Sequence, residues 1–147
     1  MLIARHAQAA RGGTIGEHLV LAGFIEDLAL AEFYRTRLMV PQVNPAQLTQ
    51  IPPRLIETIP GDMAAEFRCV PVRLDREHNL TLAMADPSTT HTVDEIAFFT
   101  RHYVVRAVAT QGQIAWCLAH YYRVLTPIGQ WLLREPGHPS LPAPMPP

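Results

Sequence analysis

Lysine is missing altogether: all twelve basic residues of the 147-residue chain are arginine. That absence removes two chemistries, because a phosphate-binding P-loop needs a lysine on the β/γ-phosphates and Schiff-base catalysis needs a lysine amine. Cysteine is scarce, with Cys69 beside a predicted strand and Cys117 on the apolar face of a predicted helix. Far apart in sequence, the two read as buried free thiols rather than as a disulfide or a metal pair. Serine occurs only as Ser88 and Ser140, neither in a Gly-x-Ser-x-Gly elbow, so Ser/His/Asp hydrolysis has no support and no catalytic residue is assigned. The seven histidines run from His6 to His138 without His-x3-His spacing or a Cys-x2-Cys partner, and no metal site is expected.

Charge and apolar run length are also limited. The formal net charge is −1 and the arginines are not clustered, which leaves no electrostatic footprint for DNA or RNA. No apolar run approaches the length that spans a bilayer, so membrane insertion is not expected. The opening MLIARHAQAARGG has an apolar run only from Met1 to Ala4 before an arginine, too little for a signal peptide, and the expected location is a reducing cytoplasm.

What is present is a change of period. From Phe67 to Tyr122 the apolar pattern moves from two to about 3.6 and back, as alternating strands and helices do. Val70, Val72 and Leu74 alternate with Pro71, Arg73 and Asp75 in a first strand; Asp75 to Asn79 is a short polar loop without an Asn-Gly pair; Leu80, Leu82 and Met84 continue in a second strand that Asp86-Pro87 ends. Asp86 is read as part of a strand-terminating turn rather than as a catalytic acid. Thr90 or Thr92 caps a helix carrying Val93, Ile96, Ala97 and Thr100, and Tyr103 to Ala109 is a β-branched third strand. Thr110 with Gln113 spells a capping box ahead of a stripe of Ile114, Cys117, Leu118, Tyr121 and Leu125.

Upstream, residues 1 to 10 read as part of a helix closed by Gly12-Gly13. Thr14 to Glu17 is a second capping box, with Ile15, Leu19 and Ala22 on one face and Gly23 at the close. Glu26 to Leu38 is an amphipathic helix with Ala29 or Leu30, Phe33, Tyr34 and Arg37 in sequence, its acids first and its arginines last, as the helix dipole favours. Val40 to Gln50 is a connector; Pro52-Pro53 starts a short helix ended by Pro60-Gly61; Asp62 to Arg68 is a helical run into the first strand. Pro127 to Glu135 is one more short helix, and the last nine residues hold five prolines, the composition of an extended linker or tail.

The order of these features, IGEHLVLAGFI and then PPRLIETIPGDMAAEFRCVPVRLDREHNLTLAMADPSTTHTVDEIAFFTRHYVVRAVAT, closely resembles the amino-terminal domain of type II secretion and type IV pilus assembly ATPases over about residues 14 to 125. The resemblance implies a non-catalytic domain that precedes the motor, contacts a protein partner of the machine, and in some members binds cyclic di-GMP. The nucleotide-binding members share a helix-turn-helix motif that begins Arg-Leu-Gly and ends in Gln. Here it reads Thr14-Ile15-Gly16, Leu19-Val20, Gly23, Phe24-Ile25, Leu30, Tyr34 and Arg37. Thr14 stands at the arginine position and Arg37 at the glutamine position, and an arginine fork is what suits a guanine edge or a phosphate. Residues 1 to 13 hold no first copy of the motif, although Arg11 lies close enough to replace the missing arginine.

The expectation is therefore an α+β fold: a small helical subdomain and connector over residues 1–60, a ββαβα sheet-and-helix unit over 61–125, and a short helix with a Pro-rich tail over 126–147. The expected function is a non-enzymatic regulatory or protein-docking domain of a type II secretion or type IV pilus system without the ATPase motor, with no cofactor. The alternative is a cyclic di-GMP sensor using Arg11, Thr14, Ile15, Gly16, Leu19, Gly23, Leu30 and Arg37, where Gly16 and Gly23 otherwise serve as helix start and helix cap.

Overall fold

Alternating apolar residues make the sheet. In the computed structural model, which describes residues 14–134, β1 (Cys69–Leu74) pairs antiparallel with β2 (Asn79–Met84), and β2 pairs parallel with β3 (Tyr103–Val108), in the spatial order β1-β2-β3. The β1–β2 loop lacks a Gly-containing turn, and Asp75 organises it instead. Its Oδ1 accepts from the amides of Glu77 at 2.8 Å and Asn79 at 2.9 Å, and its Oδ2 from Asn79 Nδ2 at 3.0 Å, while His78 takes a left-handed φ of 66°. These bonds hold the Asp75 carboxyl below the usual carboxylate range.

Eight helices surround the sheet among the described residues: α1 (Ile15–Leu21), α2 (Asp27–Leu38), α3 (Pro45–Leu48), α4 (Pro53–Ile56), α5 (Gly61–Phe67), α6 (Thr90–Thr100) between β2 and β3, α7 (Gln111–Tyr122) and α8 (Pro127–Arg134). The fold is α+β, with helices leading into a ββαβα unit. Thr14 and Glu17 make both bonds of the capping box on α1, and Thr110 and Gln113 do the same on α7. α1 closes in a Schellman motif: the Gly23 N–H donates to Val20 O, the Phe24 N–H to Leu19 O, and Gly23 supplies the left-handed φ of 78°.

The core is built around α7. Every residue from Gln111 to Ala119 is buried, so this helix is enclosed on all sides rather than along one stripe. Leu80, Leu82 and Met84 of β2 meet Val70, Ile59, Ile96 and Ile114 in one fully buried apolar cluster. The Tyr121 hydroxyl accepts from the Ile51 amide at 3.1 Å and donates to Leu48 O; the Tyr122 hydroxyl donates to Ile56 O at 3.0 Å. Through these bonds α7 holds the 45–56 segment, with its two one-turn helices α3 and α4, in place.

Four details depart from the sequence reading. Cys69 to Val72 are buried consecutively, because both faces of β1 are covered at that end and a bulge between Pro71 and Arg73 breaks the alternation. α2 turns Asp27, Leu30 and Ala31 inward with Tyr34 and Leu38 beside them, which leaves Phe33 53% exposed. The residue that starts α6 is Thr89, whose hydroxyl donates back to Asp86 O at 3.0 Å and makes no cap bond. Within the connector, Asn44 and Gln47 cap the short α3, and residues 41–43 run beside the end of β3, with the Val43 N–H donating to Val108 O and the Val108 N–H to Pro41 O. The expected helix over residues 1 to 10 and the Pro-rich tail lie outside the described residues.

Candidate functional site

A cleft of about 380 Å³ opens beneath the first turn of α1. One wall is Thr14, Ile15, Gly16 and Leu19; the opposite wall is Ala85, Asp86, Thr89 and Thr92 from the β2–α6 turn. Tyr34 of α2, the Glu66–Arg68 segment at the end of α5, and Gln111 at the start of α7 complete it. Strand ends and helix starts meet at this cleft, a place where folds that mix parallel strands and helices commonly hold ligands.

Three polar contacts fix its shape. Glu17 is 3% exposed; its Oε1 accepts from the Thr14 amide at 2.8 Å and from Arg68 Nε at 3.2 Å. Arg68, in a left-handed conformation at the end of α5, also donates to Ala65 O. A buried pair of this kind is costly to break, because the survivor is an uncompensated charge. Asp27 joins the helical layer to the core: its Oδ1 accepts from the Gln111 amide at 2.7 Å and its Oδ2 from the Gly112 amide at 2.8 Å. With Thr110 taking the Gln113 amide at 3.0 Å, all three first-turn donors of α7 are satisfied. The third contact is Gln111 Nε2 donating to Ala85 O at 3.2 Å, directly under Gly16. A Cβ on Gly16 would sit 2.8 Å from that nitrogen, so any side chain there requires the Gln111 amide to shift from its place on Ala85 O.

Titration in the cleft follows burial and neighbours. Burial first, and the adjacent Asp86 carboxylate second, push the Tyr34 phenol up to about 12, so it stays protonated beside Asp86. Asp86 Oδ1 also accepts from the Ser88 amide at 3.0 Å and from the Ser88 hydroxyl. Away from the cleft, burial pushes the Cys69 thiol up to about 12 and raises Cys117 as well. Among the described residues no three His, Cys, Asp or Glu side chains stand together to hold a metal ion, and no helix is long and apolar enough to cross a membrane.

The structure brings Thr14, Ile15, Gly16 and Leu19 together at the cleft. It places Gly23 at the α1–α2 turn with open space where a Cβ would be, Leu30 in the interior, and Arg37 exposed on α2. Arg11 lies outside the described residues. Sequence reasoning did not find Tyr34, Asp86, Arg68 and Gln111 as neighbours, since each comes from a different element. Tyr34 was marked as a motif position and Asp86 as a turn residue, and Asp27 as an acid at a helix start, a signal that pointed to its own helix rather than to α7.

The family model described as the MshEN domain matches residues 38–127, from the last residue of α2 to the first of α8. The type IV pilus assembly ATPase PilB of Myxococcus xanthus is 31% identical over 119 residues, covering 81% of this chain and 21% of that protein. The PilB of Thermus thermophilus is 27% identical over 119 residues, covering 80% of this chain and 13% of its own length. The chain thus spans a small part of these relatives. Among solved structures, MshE with cdg superposes with a TM-score of 0.60 at 20% identity, covering 82% of this chain and 86% of that one. The N-terminal domain of XpsE gives 0.60 at 24% identity, with 80% of each chain covered.

Proposed function

The chain belongs to the MshEN domain family, and from that premise we propose that it is a non-catalytic docking and regulatory domain of a type II secretion or type IV pilus assembly machine, working on the cytoplasmic side. The observation that carries this reading is how the cleft uses its polar groups. Glu17 and Arg68 bind each other, Asp86 binds Ser88, and Gln111 binds Ala85, so apart from Glu66 at its exposed rim the charged and amide side chains of the cleft are engaged in holding local structure. Meanwhile Phe24, Leu28, Phe33, Met39, Phe98, Phe99 and Tyr103 stay exposed, large apolar side chains available for protein contact. Affinity capture with this chain as bait, followed by binding assays with the purified candidates, tests the reading. Enrichment and direct binding of a secretion or pilus component is the expected result; binding to none of them refutes it.

A second reading is favoured by one observation. Thr14, Ile15, Gly16 and Leu19, all from the helix-turn-helix motif, share one wall of a ligand-sized cleft, and a structural neighbour is MshE with cdg. In this reading cyclic di-GMP is the ligand, approached through residues 11–37 with Arg11 supplying the guanidinium that Thr14 lacks. Calorimetric titration with cyclic di-GMP decides it: heat that disappears in Arg11→Ala supports the sensor, and no heat at high ligand concentration eliminates it.

A further inference from the structure

On the far side of the sheet from β3, a second groove of about 360 Å³ lies between α4 and β1. Its apolar lining is Pro52, Leu55, Val72 and Leu74, and its charged lining is Arg54 and Arg73. In a regular strand Arg73 would face away from Val72 and Leu74, because successive side chains alternate. Here three consecutive residues line one groove. The cause is the bulge between Pro71 and Arg73, which re-aims the side chains that follow it.

The same bulge, together with Pro71, makes the outer edge of β1 a poor template for an added strand. A partner at this edge is therefore held by side chains and not by a backbone ladder. The groove is also preformed. Tyr122 fixes Ile56 O at 3.0 Å, and the Thr58 hydroxyl donates to Leu55 O at 2.6 Å, so α4 needs no ordering on binding. Leu55 and Val72 are buried at its floor, and Leu74 is 39% exposed at the open side.

Charge identifies the occupant. Arg54 and Arg73 are exposed and take part in no ion pair among the described residues. The neighbouring acid, Asp75, makes no ion pair with Arg73 and turns its carboxylate into the hairpin, where it accepts three hydrogen bonds. An apolar floor under two guanidiniums without a salt-bridge partner is complementary to a peptide with an apolar anchor flanked by carboxylates. We infer that this groove docks an acidic, apolar-anchored segment of a partner protein. The inference rests on the docking reading above and gives that reading a location and a partner chemistry.

The test uses fluorescence polarisation with a labelled Glu-Asp-Leu-Phe-Asp-Glu peptide, a copy with lysines for the acids, and a copy with serines for Leu-Phe. The acidic peptide is expected to bind at least about tenfold more tightly than either copy, and to weaken as salt rises from roughly 50 to 300 mM. Arg54→Glu with Arg73→Glu should reduce its binding by about tenfold, whereas Arg35→Glu, an exposed arginine on α2, should leave it unchanged. No binding by the acidic peptide at about 1 mM, or equal binding by the double reversal, overturns the groove. A purified secretion or pilus component that binds wild type and double reversal equally also overturns it, while leaving the docking reading intact; failure of every such component removes the docking reading itself.

Discussion

Replacing Asp27 by alanine should be among the most damaging single changes in the helical layer, although the side chain lies far in sequence from what it stabilises. The residue is 8% exposed, and its carboxylate accepts the first two amides of α7 at 2.7 and 2.8 Å, across separations of 84 and 85 residues. Hydrogen bonds to a charged acceptor contribute about 1.5–3 kcal/mol each, and two buried amides left without a partner cost a similar amount. A loss of about 3–5 kcal/mol follows for Asp27→Ala, against a total stability of about 5–15 kcal/mol for a domain of this kind. Asp27→Asn should lose about 2–3 kcal/mol, because one amide keeps an acceptor while the other faces an NH₂ group. Urea unfolding followed by circular dichroism gives the number: with a slope of about 1–3 kcal/mol per molar, the alanine midpoint should fall by roughly 2 M. Hydrogen exchange supplies the local readout, since the Gln111 and Gly112 amides should lose protection ahead of the rest of α7. Glu26→Ala is the control, a helix-start residue without a side-chain cap bond, expected to stay within about 0.5 kcal/mol of wild type. An Asp27→Ala loss below about 1 kcal/mol, or unchanged exchange at Gln111 and Gly112, would refute the reasoning.

Gly16→Ala should cost about 1–3 kcal/mol, because its Cβ would displace Gln111 from Ala85; combined with Gln111→Ala, the loss measured by urea unfolding should be smaller than the sum of the two single losses. Cys69 and Cys117, buried and raised in pKa, should not react with a thiol reagent at pH 8 while the protein is folded, and both should react in denaturant; fast native labelling of either would contradict their burial. Tyr34 ionises near 10 when unfolded and is pushed up to about 12 when folded, so the folded state holds more protons in between and stability should fall as pH rises through that window. Unfolding midpoints across that range should fall less steeply for Tyr34→Phe; an identical slope would place Tyr34 in a more open setting.

The parts of the fold that were legible in sequence are those whose signals are local. The boxes Thr14–Glu17 and Thr110–Gln113, the proline at 87 and the alternation in 79–84 each encode a bond or a steric limit within a few residues, and the corresponding elements stand where those signals put them. The face of α2 was not legible, because Phe33 and Leu30 are equally apolar and only tertiary packing, with Ala31 against Val108 of β3, decides which of them turns inward. The bulge in β1 was hidden for the same reason: Val72 keeps period two in the sequence, whereas the register with β2 shifts after Pro71. At the cleft, Thr14, Gly16 and Leu19 were marked by their glycine and capping pattern. Arg68 and Gln111 were not, nor was the meeting of Tyr34 with Asp86, because nothing in a linear pattern records which strand ends and helix starts converge.

The enclosure of α7 also sets a timetable for the nascent chain. Asp27 waits 84 residues for the Gln111 amide, which at about 5–20 residues per second is on the order of 4–17 s of synthesis. During that interval α1 and α2 are already outside or leaving the ribosome with the surface they will cover still unmade. The two bonds from Asp27 to α7 therefore cannot form before Gln111 and Gly112 have been made.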